Sequence, residues 1–122
     1  ARFRQILRNL VTNAVRYGGP HIEVVVEEDG RYAAIQVRDN GEGIPRDEWE
    51  AVFDPYRSAR HSRVNPASIG LGLTVSRTLA RCMGGELSYR YEHGRSVFEL
   101  TMPAHELAAS ATLSYAALTR VH

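Results

Sequence analysis

Apolar residues recur every three or four positions from about Arg2 to Tyr17, which is the spacing of one buried helix face. They are Phe3, Ile6, Leu7, Leu10, Val11 and Ala14. Gly18-Gly19-Pro20 follows directly, and such a sequence is typical of a helix end. The pattern therefore predicts that the chain opens with a helix that is buried along one side.

Two pairs of segments with alternating apolar and polar residues predict two β-hairpins. Residues 22–28 and 32–38 flank Asp29-Gly30, a two-residue signal for a tight turn. Later in the chain, two further alternating segments flank His93-Gly94, and Pro103 ends the second of them. Their apolar positions are Leu87, Tyr89 and Tyr91 before the turn and Phe98, Leu100 and Met102 after it.

The stretch between the two hairpins begins with a predicted short helix and a predicted loop. An acidic segment around Asp47 suits the start of a helix that passes through Trp49 and ends near Phe53. Residues 56–68 are rich in arginine and lack apolar periodicity. They predict a mobile surface loop.

A second long helix is predicted before the second hairpin, and Gly84-Gly85 closes it. Its apolar stripe consists of Leu71, Val75, Leu79 and Cys82. This stripe makes the single cysteine a small core residue. The order of elements predicts an α+β fold, a two-layer sandwich with helices on one face of a mixed sheet. Residues 1–103 would form this domain, and residues 104–122 would be an appended helix or a frayed end.

Length and charge narrow the class of protein. A chain of 122 residues forms one domain without disulfide or metal support, and no apolar run reaches the roughly 18 residues of a membrane span. The net charge of +1 comes from interspersed residues, so nothing indicates binding to nucleic acid or directly to a membrane. All 15 basic residues are arginine, which excludes a P-loop with its phosphate-binding lysine. The chain opens without methionine inside a helical pattern, and we interpret it as a piece of a longer protein.

The segment Asp39-Asn40-Gly41-Glu42-Gly43-Ile44 places an acid at the end of an apolar strand and follows it with two glycines. The period of two puts Asp39 on the buried face, where an unpaired carboxylate is costly. We therefore expect a hydrogen-bond donor beside it, from a neighbouring side chain or from a ligand. Gly41 and Gly43 allow positive φ and let a flat ligand approach the backbone. An ordinary turn from strand to loop would use the same residues.

A polar stripe runs beside the apolar face of the first helix, through Asn9, Asn13, Arg16 and Tyr17. Two amide oxygens one turn apart can help to bind a hard cation such as Mg²⁺, which prefers oxygen ligands and retains waters and phosphates. Arg16 suits a phosphate. Asparagine also bonds frequently to nearby backbone, so an isolated pair could serve only local capping.

The segment Ser68-Ile69-Gly70-Leu71-Gly72-Leu73 leads into the second long helix with glycines at its start. Free N–H groups and the helix dipole at such a position favour an anion. A flexible hinge into a helix would use similar residues. Together, the acid, the amides and the glycine-rich helix start describe a site for a Mg-nucleotide.

In this order the motifs resemble the catalytic and ATP-binding domain of sensor histidine kinases. The four boxes run from Asn9 to Tyr17, from Asp39 to Ile44, from Phe53 to Arg57 and from Gly70 to Leu73, and they lie within about Phe3 to Pro103. This sequence departs from the family pattern at two places. Arg57 directly follows Tyr56, where the family often has one residue between them. Arg60 is therefore an alternative for the role of Arg57. Ser68 stands where the family commonly has another glycine.

The resemblance implies the Bergerat fold of the gyrase, Hsp90, histidine kinase and MutL superfamily, with ATP between the helices and residues 56–68 as a lid. The residues implied to bind ATP are Asn13, Arg16, Tyr17, Asp39, Gly41, Gly43, Ile44, Arg57, Ser68, Gly70, Leu71, Gly72 and Leu73. Within this set Asp39 would accept a hydrogen bond from the adenine amino group, and Tyr17 would pack beside the base. Asn13 and Asn9 would hold Mg²⁺, and with Arg16 they are the implied catalytic residues.

Asn9 favours phosphoryl transfer over ATP hydrolysis. Hydrolytic relatives that resemble gyrase and Hsp90 place a glutamate one turn before the metal asparagine to activate water, and an amide cannot act as that base. The implied acceptor is a histidine on a helical dimerisation domain of the parent protein. His105-Glu106 begins like such an acceptor box but lacks the residues that should follow.

The resemblance further implies a response regulator downstream and a cytoplasmic location, whether or not the parent protein is anchored in a membrane. The domain alone is expected to turn over ATP slowly or not at all. Two alternatives stay open: a nucleotide-binding module without catalysis, and a serine kinase of the anti-sigma-factor type.

Overall fold

The computed structural model describes residues 2–54 and 66–107, with the side chains of residues 66–71 excepted. The helices and strands are α1 (Arg2–Tyr17), β1 (Ile22–Glu28), β2 (Tyr32–Asp39), α2 (Pro66–Cys82), β3 (Glu86–Glu92) and β4 (Arg95–Pro103). Two short 3₁₀ turns, Arg46–Glu48 and Ala51–Phe53, follow β2. The predicted first helix and both predicted hairpins are confirmed. Residues 56–65 of the predicted lid lie outside the described residues.

The four strands form one antiparallel sheet in the order β1-β2-β4-β3. The prediction of a mixed sheet was therefore wrong for the described part of the chain. Strands β2 and β3, which α2 connects, run parallel to each other. They are not paired, because β4 lies between them and is antiparallel to both. Asp39 at the end of β2 is paired across the ladder with Ser96 of β4.

The core lies between the sheet and the two helices, which confirms the two-layer α+β sandwich. Ile6 and Leu10 of α1 are fully buried, as are Ile35 of β2 and Leu100 of β4. Removal of such side chains from water is the main favourable term in folding. The apolar stripe predicted for α1 is therefore the face that contacts the sheet and α2.

Among the described side chains, the buried face of α2 agrees with the predicted stripe only at Leu79, which packs against the core. The buried residues of this helix and its end are Leu73, Ser76, Ala80 and Met83. The prediction that Cys82 belongs to the core was wrong, because this residue is exposed, and Val75 is exposed as well. Apolar residues occur on more than one side of this helix, so the contacts with α1 and the sheet decide which side is buried. The helix also begins at Pro66, so residues 66–68 of the predicted loop are helical.

The acidic segment before residue 54 forms the two 3₁₀ turns instead of one continuous helix. The N–H of Glu48 bonds to the carbonyl of Pro45 at 2.9 Å, and the N–H of Trp49 bonds to that of Arg46 at 3.3 Å. These bonds reach three residues back, which is the 3₁₀ pattern. A segment this short is below the length at which an α-helix is stable on its own.

The chain beyond β4 is described only as far as residue 107. Residues 104–107 form a helical turn, and Leu107 packs against the core. The remainder of the predicted tail lies outside the described residues. In the described part of the chain, no helix is long and apolar enough to cross a membrane.

Arg77 of α2 connects the second 3₁₀ turn to the sheet. Its guanidinium lies 4.3 Å from the centre of the Phe53 ring, and it donates to Glu50 at 2.9 Å and to Glu86 at 3.1 Å. Arg81 donates to Glu86 at 3.1 Å. The side chain of Arg77 is only 16% exposed, so solvent screens these contacts less than it screens a surface ion pair.

We expect Glu86→Gln to make the fold less sensitive to acid. Burial tends to raise the pKa of Glu86, but hydrogen bonds from Arg81, the N–H of Leu87 and Arg77 outweigh it and lower the pKa from 4.5. Such a carboxylate stabilises the fold above the pKa of the unfolded chain. This contribution is lost as the pH falls through the lower pKa of the folded state. Thermal unfolding followed between about pH 7 and about pH 3 measures the effect.

The matched control for this prediction is Glu27→Gln, because Glu27 is an exposed residue of β1. On acidification the melting temperature should fall further for the wild-type protein and for Glu27→Gln than for Glu86→Gln. Equal losses in all three proteins would contradict a role of Glu86 in the acid response.

Candidate functional site

Asp39 lies at the end of β2 and is only 5% exposed. Its Oδ1 atom accepts hydrogen bonds from the N–H of Gly41 at 2.8 Å and from the N–H of Gly19 at 3.1 Å. The protein donors to this acid are thus backbone groups, not the neighbouring side chain that was one expectation. Among the described residues no donor reaches Oδ2, so this oxygen of a nearly buried carboxylate is available to a ligand that donates a hydrogen bond.

The two glycines after Asp39 are required mainly by packing within the protein. Gly43 has a φ of +78°, and a β-carbon there would run into the ring of Tyr91. Gly41 does not use the positive φ that glycine allows, but a β-carbon there would lie 2.8 Å from the nitrogen of Gly19 and 2.9 Å from Asp39 Oδ1. The close approach at Gly41 allows the end of α1 to contact the end of β2.

An open cleft lies between α1 and α2. The residues that line it are Asn9, Thr12, Asn13, Arg16, Tyr17, Gly72 and Leu73. The structure therefore brings the whole polar stripe predicted on α1 together with two residues of the predicted glycine-rich segment.

The amide of Asn9 has a defined orientation in this cleft. Its Nδ2 atom donates to the hydroxyl of Ser76 at 2.9 Å and to the carbonyl of Gly72 at 3.4 Å. Ser76 is fully buried, so this contact lies away from water and attaches α1 to α2. Because the nitrogen is occupied, Oδ1 is the atom of Asn9 that can bind a cation. The side chain of Asn13 makes no hydrogen bond to the other described residues.

The donor atoms in the cleft fit a hard divalent cation that is shared with phosphates. Amide oxygens are suitable ligands for such a cation. No group of three or more His, Cys, Asp or Glu residues in the described ranges could hold a metal. A cation at Asn9 and Asn13 would therefore take its other oxygens from water and phosphates, as Mg²⁺ usually does. Arg16 lines the same cleft and can contact a phosphate there.

Asp39 does not line this cleft but a second, wider depression, together with Arg38 and Arg95. Its two arginines, Arg38 and Arg95, both contact Glu23, at 3.4 Å and 2.8 Å. Since both arginines already pair with Glu23 at the surface, the cleft beside α1 is the better candidate for the phosphates of a ligand.

Residues 1–106 match the model of a protein family described as histidine kinase-, DNA gyrase B-, and HSP90-like ATPase. This chain belongs to that family. The match includes both helices and all four strands, and it confirms the resemblance inferred from the four motifs. Use of a nucleotide follows from membership in this ATPase family.

Two relatives of this ATPase domain are bacterial signalling proteins. The chain is 39% identical over 103 residues to the signal transduction histidine-protein kinase AfsQ2 of Streptomyces coelicolor, covering 84% of this chain and 19% of that protein. It is 41% identical over 113 residues to the aerobic respiration control sensor protein ArcB of Escherichia coli, covering 88% of this chain and 14% of that protein. The chain thus spans less than a fifth of the length of either relative.

Solved structures of histidine kinases share the fold of this ATPase domain. The catalytic domain of the histidine kinase ThkA, in a nucleotide-free form, gives a TM-score of 0.70 at 27% identity and covers 84% of this chain and 67% of that one. Full-length ShkA in complex with AMPPNP gives a TM-score of 0.68 at 29% identity, and the match covers 84% of this chain and 21% of that one. Together with the family match, these structures show that the chain is a domain of this ATPase family with the fold of histidine kinase catalytic domains.

Several predicted residues of the histidine kinase-like site fall outside the side chains that the structure describes. Arg57 and Arg60 lie in the gap between residues 54 and 66. Ser68, Gly70 and Leu71 lie on α2, but only the backbone is described there. The roles predicted for these residues stay predictions.

Sequence reasoning missed four residues around this histidine kinase-like site. Gly19 donates to Asp39, and Ser76 accepts from Asn9. Tyr89 and Ser96 are buried, and their hydroxyl groups are 2.8 Å apart. A signal for the last pair was present, because the alternation of β3 and β4 puts both hydroxyls on the inward face of the sheet. A buried hydroxyl needs a partner.

Proposed function

We propose that this domain binds Mg-ATP in the cleft beside α1 and transfers the γ-phosphoryl group to a histidine on a dimerisation domain of its parent protein. The arrangement of three groups along α1 carries the proposal. Asp39 contacts the end of α1 at Gly18. At about 1.5 Å per residue, Asn13 and Asn9 lie about 7.5 and 13.5 Å further back along the helix. A nucleotide parallel to α1 can therefore place its base at Asp39 and its phosphates at the amides.

Asp39 is proposed to select the base. Its available oxygen can accept a hydrogen bond from an exocyclic amine such as that of adenine. The N–H groups of Gly19 and Gly41 hold the carboxylate in place before a ligand binds, which reduces the ordering cost of binding. A guanine base presents a carbonyl instead of that amine, so two acceptors would face each other. The site therefore favours ATP over GTP.

Asn9, Asn13 and Arg16 are proposed to position the phosphates. When bound, Mg²⁺ neutralises charge on the transferring phosphoryl group. The amide oxygens of Asn9 and Asn13 are its proposed protein ligands, and Arg16 lines the same cleft. Because the amide of Asn9 cannot take a proton from water, the site is better suited to transfer than to hydrolysis. The AMPPNP complex of ShkA, a structural relative, supports a nucleotide in a domain of this fold.

The acceptor histidine is proposed to lie on another domain. His21 and His93 lie outside the helices of the described chain. His105 lies on the short turn after β4, with its imidazole 80% exposed and 3.7 Å from Glu106. Neither context resembles the long helix of a dimerisation domain. We further propose a response regulator as the next phosphate acceptor and a cytoplasmic location for this domain.

The decisive experiment adds the dimerisation segment of the parent protein to this domain with γ-labelled ATP. We expect an acid-labile phosphohistidine on the added segment, because transfer needs that acceptor, and slow or no phosphate release by the domain alone. Radiometric gel analysis after acid and base treatment measures both results.

Three other outcomes have distinct meanings in this experiment. Steady phosphate release by the domain alone that disappears in Asn9→Ala would indicate a hydrolase. An acid-stable phosphoserine on a partner protein would indicate a serine kinase. Nucleotide binding with no transfer to any acceptor would indicate a binding module.

A further inference from the structure

Residues 40–44, which contain Gly41 and Gly43, are called the glycine turn here. The N–H and C=O groups of Ile44, its last residue, both form hydrogen bonds with aromatic side chains. The N–H of Ile44 donates to the hydroxyl oxygen of Tyr89 at 3.0 Å. The indole N–H of Trp49 donates to the carbonyl of Ile44 at 2.9 Å. The two rings contact each other edge to face, with centroids 5.6 Å apart and planes at 81°. We call Tyr89 and Trp49 the aromatic clamp.

Tyr89 is itself buried and held by contacts within the sheet. The residue is 6% exposed, and its ring lies 4.8 Å from that of Phe98. Its hydroxyl also accepts a hydrogen bond from Ser96 at 2.8 Å, and Ser96 is the residue paired with Asp39 across the sheet. The clamp therefore connects the glycine turn to the strand that lies next to the base-selecting acid.

We propose that Tyr89 and Trp49 are positioning residues for the base of the nucleotide. They hold residues 40–44 in the conformation that forms one wall of the base site before ATP arrives. This inference rests on the proposed function, because it takes Asp39 as the residue that selects the base. A turn that is already ordered avoids a loss of conformational freedom on binding, so the clamp increases affinity without touching the ligand.

The polar atoms of the clamp distinguish this role from simple packing. A phenylalanine would fill the space of Tyr89 equally well, yet the chain places a hydroxyl in a nearly buried position, where it must be hydrogen-bonded. The Trp49 indole N–H likewise bonds to the glycine turn itself. Both polar atoms thus act on the same residue, Ile44, which directly follows the positive-φ Gly43.

Tyr89→Phe in the 122-residue chain tests the proposal. The variant keeps the ring but leaves the Ile44 N–H without its acceptor. The affinity for a fluorescent ATP analogue should fall by about threefold to tenfold, as expected for one neutral hydrogen bond. The loss should be the same when ATP or ADP is the competitor, because both carry the same base. Amide exchange at Ile44 should become faster.

Trp49→Phe is the second test, since it keeps an aromatic ring and removes the bond to the Ile44 carbonyl. It should weaken both nucleotides in the same direction, and the two substitutions together should show less than additive losses because they act on one turn. Tyr32→Phe is the control. Tyr32 is 54% exposed at the other end of β2, and its loss of a hydroxyl should leave affinity unchanged.

The affinities are to be measured at a temperature where each variant is fully folded, as shown by its unfolding curve. If Tyr89→Phe is folded and binds ATP as tightly as the wild type, the clamp only packs the core and the proposal is wrong. If Tyr89→Phe does not fold, the affinity of Trp49→Phe decides in the same way. Failure of the wild-type chain to bind ATP would instead overturn the proposed function.

Discussion

Asp39→Asn should weaken the binding of adenine nucleotides by about tenfold to a hundredfold. Asparagine can keep its Oδ1 atom on the N–H groups of Gly19 and Gly41. It would then present an NH₂ group where Asp39 has its available oxygen, so two donors would meet at the base. Hydrogen bonds to charged groups contribute about 1.5–3 kcal/mol, and about 1.4 kcal/mol corresponds to a factor of ten. Titration with a fluorescent ATP analogue, with ATP and GTP as competitors, measures the change.

The control for this prediction is Asp47→Asn, which removes an exposed carboxylate from the first 3₁₀ turn. It should bind ATP like the wild type. The unfolding curve of Asp39→Asn establishes that the variant is folded at the temperature of the titration. Wild-type affinity for ATP in a folded Asp39→Asn protein would remove Asp39 from the proposed base site.

Asn13→Ala should reduce phosphoryl transfer by about a hundredfold or more, the loss that typically follows removal of one group that stabilises charge in a transition state. The side chain of Asn13 has no other hydrogen-bonded role among the described residues, so the fold should be little affected. Nucleotide affinity without divalent cation should stay close to the wild-type value. The gain in affinity on adding Mg²⁺ should be small or absent. Transfer assays and titrations with and without chelator measure these quantities.

Gln5→Ala provides the control on the same helix, because Gln5 is exposed and lies two turns before Asn13. It should leave transfer and the Mg²⁺ dependence unchanged. An Asn13→Ala protein whose nucleotide binding still responds to Mg²⁺ like the wild type would contradict the role of Asn13 as a metal ligand.

The fold of this domain could be predicted where one periodicity was dominant. The stripe of α1 and the two turn signals, Asp29-Gly30 and His93-Gly94, are unambiguous, and the structure agrees with them. The buried side of α2 could not be predicted in the same way, because its apolar residues allow more than one stripe. The position of β4 between β2 and β3 also depends on long-range pairing, which local sequence does not encode.

The candidate site could be predicted to a similar extent. Asn9, Asn13, Arg16 and Tyr17 lie together in one cleft because a single helix carries them, so their spacing sufficed. The donors to Asp39 could not be found in this way. Every residue except proline has a backbone N–H group, and only the packing of Gly19 against Gly41 brings two of them to one carboxylate. The bond from Asn9 to Ser76 joins residues that are far apart in the chain.

Ser76 and Arg77 are consecutive residues of α2, yet they face different parts of the domain. Ser76 accepts from the amide of Asn9, while Arg77 contacts Glu50 and the ring of Phe53. Two adjacent residues of α2 thus join the amide of Asn9 in the cleft to the 3₁₀ turn at Phe53 on another side of the helix. The orientation of one proposed metal ligand therefore depends on a helix that is itself fixed from outside the cleft.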